Sequence, residues 1–380
     1  MEFQIFNVLD RLRPTATGLD NLLAWFLQVD APLFAAPVAD LMNLSLDMSV
    51  VPTQWKRASI LPIPKVNTPV SPSDFRPISI TPILSRLLER IVTREHIYPS
   101  LKHAPPFLDF SDQFAFQPTG ATTAALISLL HTITSMLETK QYVIVYAIDF
   151  SKAFDSVRHS TLMEKFALLC LPDNIYNWIG SFFSKHSHIT SFRGKTSSVK
   201  SILVSIIQGS AIGPASYVVT ASDLHAHDPV NKIKKYADDT YLLIPASNVQ
   251  SCADEIQHIE DWAMKNNLTM NRKKSVEIVI SAPRGRRKIV IPSPAVPSFE
   301  RVESMRVLGV TVNNKLSFSD HVEDMLAKCS RTLFALKTLR SHGMPDSALQ
   351  NVFQSNGPGQ AELRFLCLVG LHECVRSRTY

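Results

Sequence analysis

Two adjacent carboxylates, Asp238 and Asp239, stand between the strand-like segments Lys232 to Tyr236 and Tyr241 to Ile244, a pattern that reads as a hairpin with both acids near its tip. Like charges held together repel, and one carboxyl is forced up in pKa unless a cation lies between them. Taken alone, the pair reads as a solvated acidic turn. A third carboxylate changes that: the β-branched and aromatic run Tyr142 to Ile148 (YVIVYAI) ends directly on Asp149. Too short for a stable lone helix, the run reads as a buried strand. Three carboxylates on adjacent strand ends can hold two magnesium ions, which take oxygen ligands and leave positions for phosphates.

The elements that must position these acids follow from apolar spacing. Leu22 to Leu46 is helical in period and interrupted at Pro32 and Pro37, which predicts two or three short helices. From Val51 to Pro82 seven prolines predict strand and loop, with Ala58 to Pro64 extended. Pro82 to Arg94 and Ala121 to Leu137 return to helix, and Thr161 with Glu164 forms a candidate capping box for a helix closed by Pro172. Ser251 to Leu268 reads as an amphipathic helix with Ile256, Ile259 and Ala263 inward; another spans about Asp320 to Ser341, with Val322, Leu326, Cys329, Leu333 and Leu336 on one stripe. Between them the Arg284 to Lys288 cluster lies in a proline-rich junction, where it is either a solvated basic loop or a contact for nucleic-acid phosphates.

Composition sets the class. With 380 residues and 45% hydrophobic content the chain can bury a core shared by two or three subdomains. The net charge is +6, yet the first 50 residues hold only Arg11 and Arg13 against six acids, so the positive excess belongs to the rest of the chain and suits a polyanionic partner. Five scattered cysteines form no C-x-x-C pair and no disulfide framework, which fits a reducing compartment. No apolar run is long enough to span a bilayer and no signal peptide opens the chain, so the expectation is an intracellular protein without membrane contact, not secreted.

Several blocks, in order, resemble the reverse transcriptases of non-LTR retrotransposons, in a jockey-like style. Tyr236-Ala237-Asp238-Asp239 resembles their Y-x-D-D signature, as distinct from the G-D-D typical of viral RNA-directed RNA polymerases. Asp149 to Asp155 (DFSKAFD) resembles the first catalytic block, and Gln208 to Pro214 (QGSAIGP) the Q-G-x-x-x-G-P block between the two. Pro14 to Leu27 resembles the amino-terminal extension, Phe75 to Ile80 (FRPISI) the first finger block, Trp262 to Ser275 the lysine block and Val307 to Val310 the primer-grip block.

The resemblance implies an α+β right-hand polymerase: an amino-terminal helical extension over 1–50, fingers over 51–140, a palm over 141–310 that contains a finger return, and a helical thumb over 311–355. The palm is expected to be an antiparallel sheet packed on helices. It further implies an RNA-directed DNA polymerase that takes an RNA template, a DNA primer and dNTPs, uses two Mg2+ ions, and resides in nucleus and cytoplasm as a ribonucleoprotein. Carried over by position, Asp149 and Asp238 become the principal metal ligands with Asp239 beside them. Lys65 and Arg76 would clamp the triphosphate, and Lys274, or its neighbour Lys273, would give a proton to pyrophosphate. Phe154 would exclude a ribose 2′ hydroxyl, Gln208 would lie against the nucleotide and Tyr236 near the primer end. Phe150 is the remaining substrate-block candidate, and Gly209 with Gly213 would permit close backbone approach.

Other patterns are discounted. Ser210 is one place too early for a G-x-S-x-G nucleophile elbow, and His225 and His227 read as solvated loop histidines. Gln117 stands where relatives usually carry arginine, which removes a cation from contact with a phosphate or base. The rival reading is a catalytically inactive remnant that only binds RNA; a maturase-like splicing cofactor is a third, without a maturase domain after the thumb. With no endonuclease ahead of Met1, the chain is expected to polymerise without nicking a target. The resemblance stops near Ser355, and Asn356 to Tyr380 is expected to be out of frame or disordered: read one nucleotide along, permitted codons can spell a Trp-Trp segment like the one that follows the thumb in relatives.

Overall fold

In a computed structural model of the chain, the described residues are 1–118, 120–202, 204–281, 294 and 296–356, with the side chains of 354–356 set aside. The Arg284 to Lys288 cluster and the tail expected beyond Asn356 lie outside them.

A central five-stranded sheet runs in the order Glu300–Arg301, Val276–Ser281, Tyr142–Ile148, Asp239–Pro245 and Lys232–Tyr236. Tyr142–Ile148 occupies its middle and is buried at every position except Ala147, as a strand covered on both faces must be. Its side chains alternate between two cores. Val143 and Val145 join Tyr241, Leu243, Ile278 and Ile280 beneath helix Thr122–Thr139, which supplies Leu129, Ile133 and Leu137. Ile144, Tyr146 and Ile148 face the larger core, to which helices Gly213–Thr220 and Cys252–Lys265 contribute Val218, Val219, Ile256 and Ile259. The sheet is antiparallel across four strands, as expected, but mixed at its edge: Val276–Glu277 pairs parallel with Glu300–Arg301. That register sets Arg301 opposite the fully buried Glu277, whose carboxylate accepts from the Arg301 Nε at 2.5 Å.

A second sheet is built on Arg57–Pro64, which pairs antiparallel with Phe75–Ile80 and parallel with His186–Phe192. The last strand lies far along the chain and returns to pair with the first. Much of this sheet is half-exposed.

Helices Glu2–Asp10, Ala24–Val29 and Ala31–Asp47 form the amino-terminal layer. Pro37 was expected to break the last of these and does not. Val38, Ala39 and Met42, buried just beyond it, hold the helix continuous by packing where propensity would end it. The capping-box expectation also fails: the helix spans His159–Phe166, and Thr161 lies in its first turn, donating its hydroxyl to the Arg158 carbonyl at 3.0 Å. The helix expected near the carboxyl end is Ser319–Ser341, but of its side chains only Met325 is buried; Leu326 and Leu333, on the expected inner stripe, are exposed. Its main contacts with other elements are strand Val310–Asn313 and helix Asp346–Asn356. No helix among the described residues is long and apolar enough to cross a membrane.

Candidate active site

Strand register brings the three carboxylates near one another. Ile148 pairs with Thr240 and Tyr236 with Asp239, so Asp149, one residue past the middle strand, lies beside the turn that carries Asp238 and Asp239. The hairpin is tighter than the sequence suggests: only Ala237 and Asp238 separate its strands, and Ala237 takes a left-handed φ of 55°. An alanine there is strained. The buried side chain of Gln113 holds it in place. Its Oε1 accepts from the Ala237 N–H at 2.9 Å and from the Ala115 N–H at 3.0 Å, while its Nε2 donates to the Ala237 carbonyl at 3.3 Å. Backbone bonds reinforce the clamp: Lys235 N–H donates to the Asp112 carbonyl at 2.7 Å and Phe114 N–H to the Lys235 carbonyl at 2.9 Å. Gln117, at the place of the missing arginine, donates to the Phe110 and Gln113 carbonyls at 2.9 Å each and so braces this same segment.

The electrostatics are those of crowded acids. Asp239 is pushed up to about 6, by desolvation first and then by the charges of Asp238 and Asp149. Asp238 is also raised, by desolvation and by Asp149, with Arg76 from the second sheet opposing. A backbone N–H and the Arg76 guanidinium offset only part of the burial and repulsion at Asp238, so the donor set suits a hard divalent cation. No three acidic, His or Cys side chains among the described residues converge closely enough to hold an ion alone. A divalent cation held here would need further oxygen ligands from outside the chain.

One cavity is lined by two of the acids, and a second lies on the side of Arg76. The first, of about 400 Å³, is lined by Asp149, Asp239, Lys274 and Arg306 among others. Lys274, not Lys273, lines it, because the Asn271 N–H donates to the Asp149 carbonyl at 2.8 Å and the Ser275 hydroxyl accepts from the Asp149 N–H at 3.1 Å, fixing the loop between them. The second, of about 230 Å³, brings together Arg76, Phe154, Gln208, Gly209 and Gly213. Phe154 stacks on Tyr217 with ring centroids 4.6 Å apart, and the Gln208 Oε1 is buried without a protein partner. Gly209 is required twice: its φ is +110°, and a Cβ would stand 2.3 Å from the Ser79 carbonyl oxygen. Gln208 accepts from the Ser79 N–H at 2.7 Å, so the loop is laced to the second sheet.

The remaining candidates sit apart. Phe150 is buried against Trp262, centroids 5.8 Å apart, and lines neither cavity. Lys65 donates to the Ser73 carbonyl at 3.1 Å on the outer loop of the second sheet, and Tyr236 pairs with Asp239 beside the turn. Besides Gln113, sequence reasoning missed Glu89. Fully buried, it accepts from the N–H groups of Ala211 at 2.6 Å and Ile212 at 3.3 Å and from the Ser85 hydroxyl at 2.7 Å, so it fixes the loop that carries Gln208 and Gly209. Burial pushes its pKa up, against those hydrogen bonds. A carboxylate set among Ile83, Leu87, Leu88 and Ile91 was the available signal.

Comparison with known proteins decides the family. Residues 63–312 match the family described as reverse transcriptase (RNA-dependent DNA polymerase). The chain belongs to this reverse transcriptase family. It is 29% identical over 325 residues to the RNA-directed DNA polymerase from mobile element jockey of Drosophila melanogaster, covering 81% of this chain and 34% of that protein. To the probable RNA-directed DNA polymerase from transposon BS of the same species it is 26% identical over 350 residues, covering 85% and 36%. The chain thus spans about a third of the length of these relatives. Among solved structures, telomerase from Candida tropicalis with a TWJ fragment of telomeric RNA aligns at a TM-score of 0.47 and 13% identity, over 70% of this chain and 45% of that one.

Proposed function

We propose that this reverse transcriptase-family chain is the polymerase part of a non-LTR retrotransposon protein, which copies an RNA template into DNA by extending a primer 3′ hydroxyl with dNTPs. The observation that carries this reading is the strand register that lays Asp149 against the Asp238–Asp239 turn, on a cavity that also holds Lys274, with Arg76, Phe154 and Gln208 gathered in a second pocket. The central sheet is then the palm, the second sheet the fingers and helix Ser319–Ser341 the thumb.

Asp149 and Asp238 are the residues that would hold divalent metal, with Asp239 as the supporting carboxylate. Two bound magnesium ions supply acidification of the primer hydroxyl and neutralisation of the triphosphate. The chain's own groups do the rest. Arg76 meets triphosphate charge from the fingers side. Lys274, across the cavity from the strand ends, donates a proton to departing pyrophosphate. Phe154, held flat by Tyr217, closes the space beside the sugar 2′ carbon and leaves no room for a hydroxyl. Gln208 presents an unpaired carbonyl oxygen to the nucleotide, and Tyr236 borders the primer end. Lys65 reaches the triphosphate only after releasing the Ser73 carbonyl. Phe150 contributes through its backbone, since its ring stays in the core.

Primer extension by this chain on an RNA template with magnesium and dNTPs tests the reading. Template-dependent DNA products support it; RNA binding with no extension at any magnesium concentration would leave the inactive remnant instead.

A further inference from the structure

Helix Gly213–Thr220 begins in the nucleotide pocket, which Gly213 and Pro214 line, and its Tyr217 ring stacks on Phe154. Its other end, at Thr220 and Ala221, is buried, and the last carbonyls of a helix have no partners within it. Two lysines supply them. Lys235, its side chain fully buried, donates to the Ala221 carbonyl at 2.7 Å and the Leu224 carbonyl at 2.9 Å, and its Nζ lies 3.0 Å from the Asp112 carboxylate. Lys165 donates to the Thr220 carbonyl, to the Asp223 carboxylate at 2.6 Å and to the Asn266 side-chain carbonyl at 3.0 Å. An ammonium has three N–H donors, so each is fully used. Burial pushes both pKa values down, and the Asp223 and Asp112 carboxylates oppose it.

Two buried ammoniums are a costly way to finish a short helix. Apolar side chains of like volume often stabilise such a place as well or better, whereas cations aimed at the terminal carbonyls fix where the helix end lies. The lysines come from two other parts of the site. Lys165 is on helix His159–Phe166, which follows the short helix Ala153–Ser156 that carries Phe154, and Lys235 leads into Tyr236 and the Ala237–Asp238 turn. Neither lines the nucleotide pocket. We propose that Lys165 and Lys235 are positioning residues for nucleotide choice: by gripping the far end of helix Gly213–Thr220 they hold Tyr217 against Phe154, and so set the discrimination against ribonucleotides from outside the pocket. The inference rests on the polymerase reading above, with Phe154 as the group that meets the sugar.

The test is single-nucleotide incorporation by the full chain on a primed RNA template, comparing K165M and K235M with wild type for a dNTP and the matching rNTP. The ratio of the two kcat/KM values should fall at least about tenfold in each variant, the scale of an altered fit in a pocket. A merely structural role lowers both rates together through the folded fraction, which cancels in the ratio. K56M is the control: Lys56 is also buried, but it donates to the Ser181 hydroxyl at 3.2 Å, away from this helix, and its loss should leave the ratio near wild type. An unchanged ratio in K165M and K235M, or an equal fall in K56M, would overturn the proposal. Where a methionine variant does not fold, D223N and D112N keep both lysines while weakening their hold, and should move the ratio the same way by a smaller factor. Hydrogen exchange read by mass spectrometry, in EDTA without nucleotide, needs no catalysis. Amides of residues 213–224 should lose protection in K165M and K235M while those of strand Tyr142–Ile148 keep theirs. Wild-type protection of that helix in both variants would contradict the grip. Wild type that extends no primer would count against the polymerase reading, and the exchange measurement would still decide whether the lysines hold the helix.

Discussion

The two sheets that border the candidate active site are built to opposite specifications. The middle strand of the central sheet is buried almost throughout, and the turn it faces is clamped by a buried glutamine. The second sheet, which contributes Arg76, is half-exposed and touches the site through the Ser79–Gln208 backbone bond and through the reach of Arg76 toward Asp238. The difference teaches a division of labour. Carboxylates that repel one another must be fixed by rigid surroundings, because only preorganised charge acts without reorganising during reaction. Groups that meet a substrate arriving and leaving can sit on a sheet with fewer constraints.

The largest effect expected from this contrast lies on the rigid side. Asp149→Asn or Asp238→Asn should lower single-nucleotide incorporation by about a thousandfold or more, as when a transition-state charge partner is removed. Circular dichroism and the denaturation midpoint should stay near wild type, and Asp239→Asn should be milder. Near wild-type rates in either principal variant would show that the strand ends are not the metal site.

Next comes the clamp. Gln113→Ala leaves the Ala237 N–H and carbonyl unsatisfied in a buried place, at a cost of about 1–3 kcal/mol by urea denaturation. Because the left-handed turn then loses its brace, kcat should fall by on the order of tenfold to a hundredfold, with the KM for dNTP changed far less. The reverse pattern is expected on the second sheet, where Arg76→Ala should raise the KM for dNTP more than it lowers kcat. A clamp variant that changes only KM would erase the proposed contrast.

Phe154→Val opens space beside the nucleotide sugar, and discrimination against ribonucleotides should drop by about 1–3 kcal/mol, measured as the ratio of kcat/KM for the two nucleotides. Unchanged selectivity would reduce Phe154 to a packing partner of Tyr217.

The smallest effect is a pH dependence. The folded pKa of Asp239, about 6, lies above the ordinary aspartate value of 3.8, and Asp238 is shifted the same way. The folded state therefore holds these protons more tightly than the unfolded chain. In metal-free protein their contribution to stability is fully present below pH 4 and is lost as pH rises toward and through 6. Thermal melts in EDTA should show this decline in the wild type and a shallower one in Asp239→Asn, while magnesium should restore more stability at pH 8 than at pH 5. An Asp239→Asn profile that superimposes on wild type would remove Asp239 from the crowded set.

Much of the site was legible because its chemistry is written in local order. The strand ending on Asp149, the paired acids in a hairpin and the Gln208 to Pro214 loop each announce themselves within a few residues. What escaped depends on contacts distant in the chain. Gln113 reaches Ala237 across 124 positions and Glu89 reaches Ala211 across 122, so neither partner is visible from its neighbours. That Lys274 and not Lys273 lines the cavity beside Asp149 depends on the Asn271 and Ser275 bonds to Asp149. Pro37 misled because tertiary packing overrode a local breaker, and the stripe on helix Ser319–Ser341 misled because periodicity shows an apolar face without showing what, if anything, covers it.

The central claim is that the strand ends of the buried sheet hold divalent metal beside an incoming nucleotide. Titration of Mn2+ by electron paramagnetic resonance, on the full chain with a chain-terminated primer, an RNA template and the next dNTP, addresses it directly. Wild type should bind about two ions per chain, as a two-metal site requires, and Asp149→Asn and Asp238→Asn should each lose at least one. An unchanged number of bound ions in both variants would contradict the account.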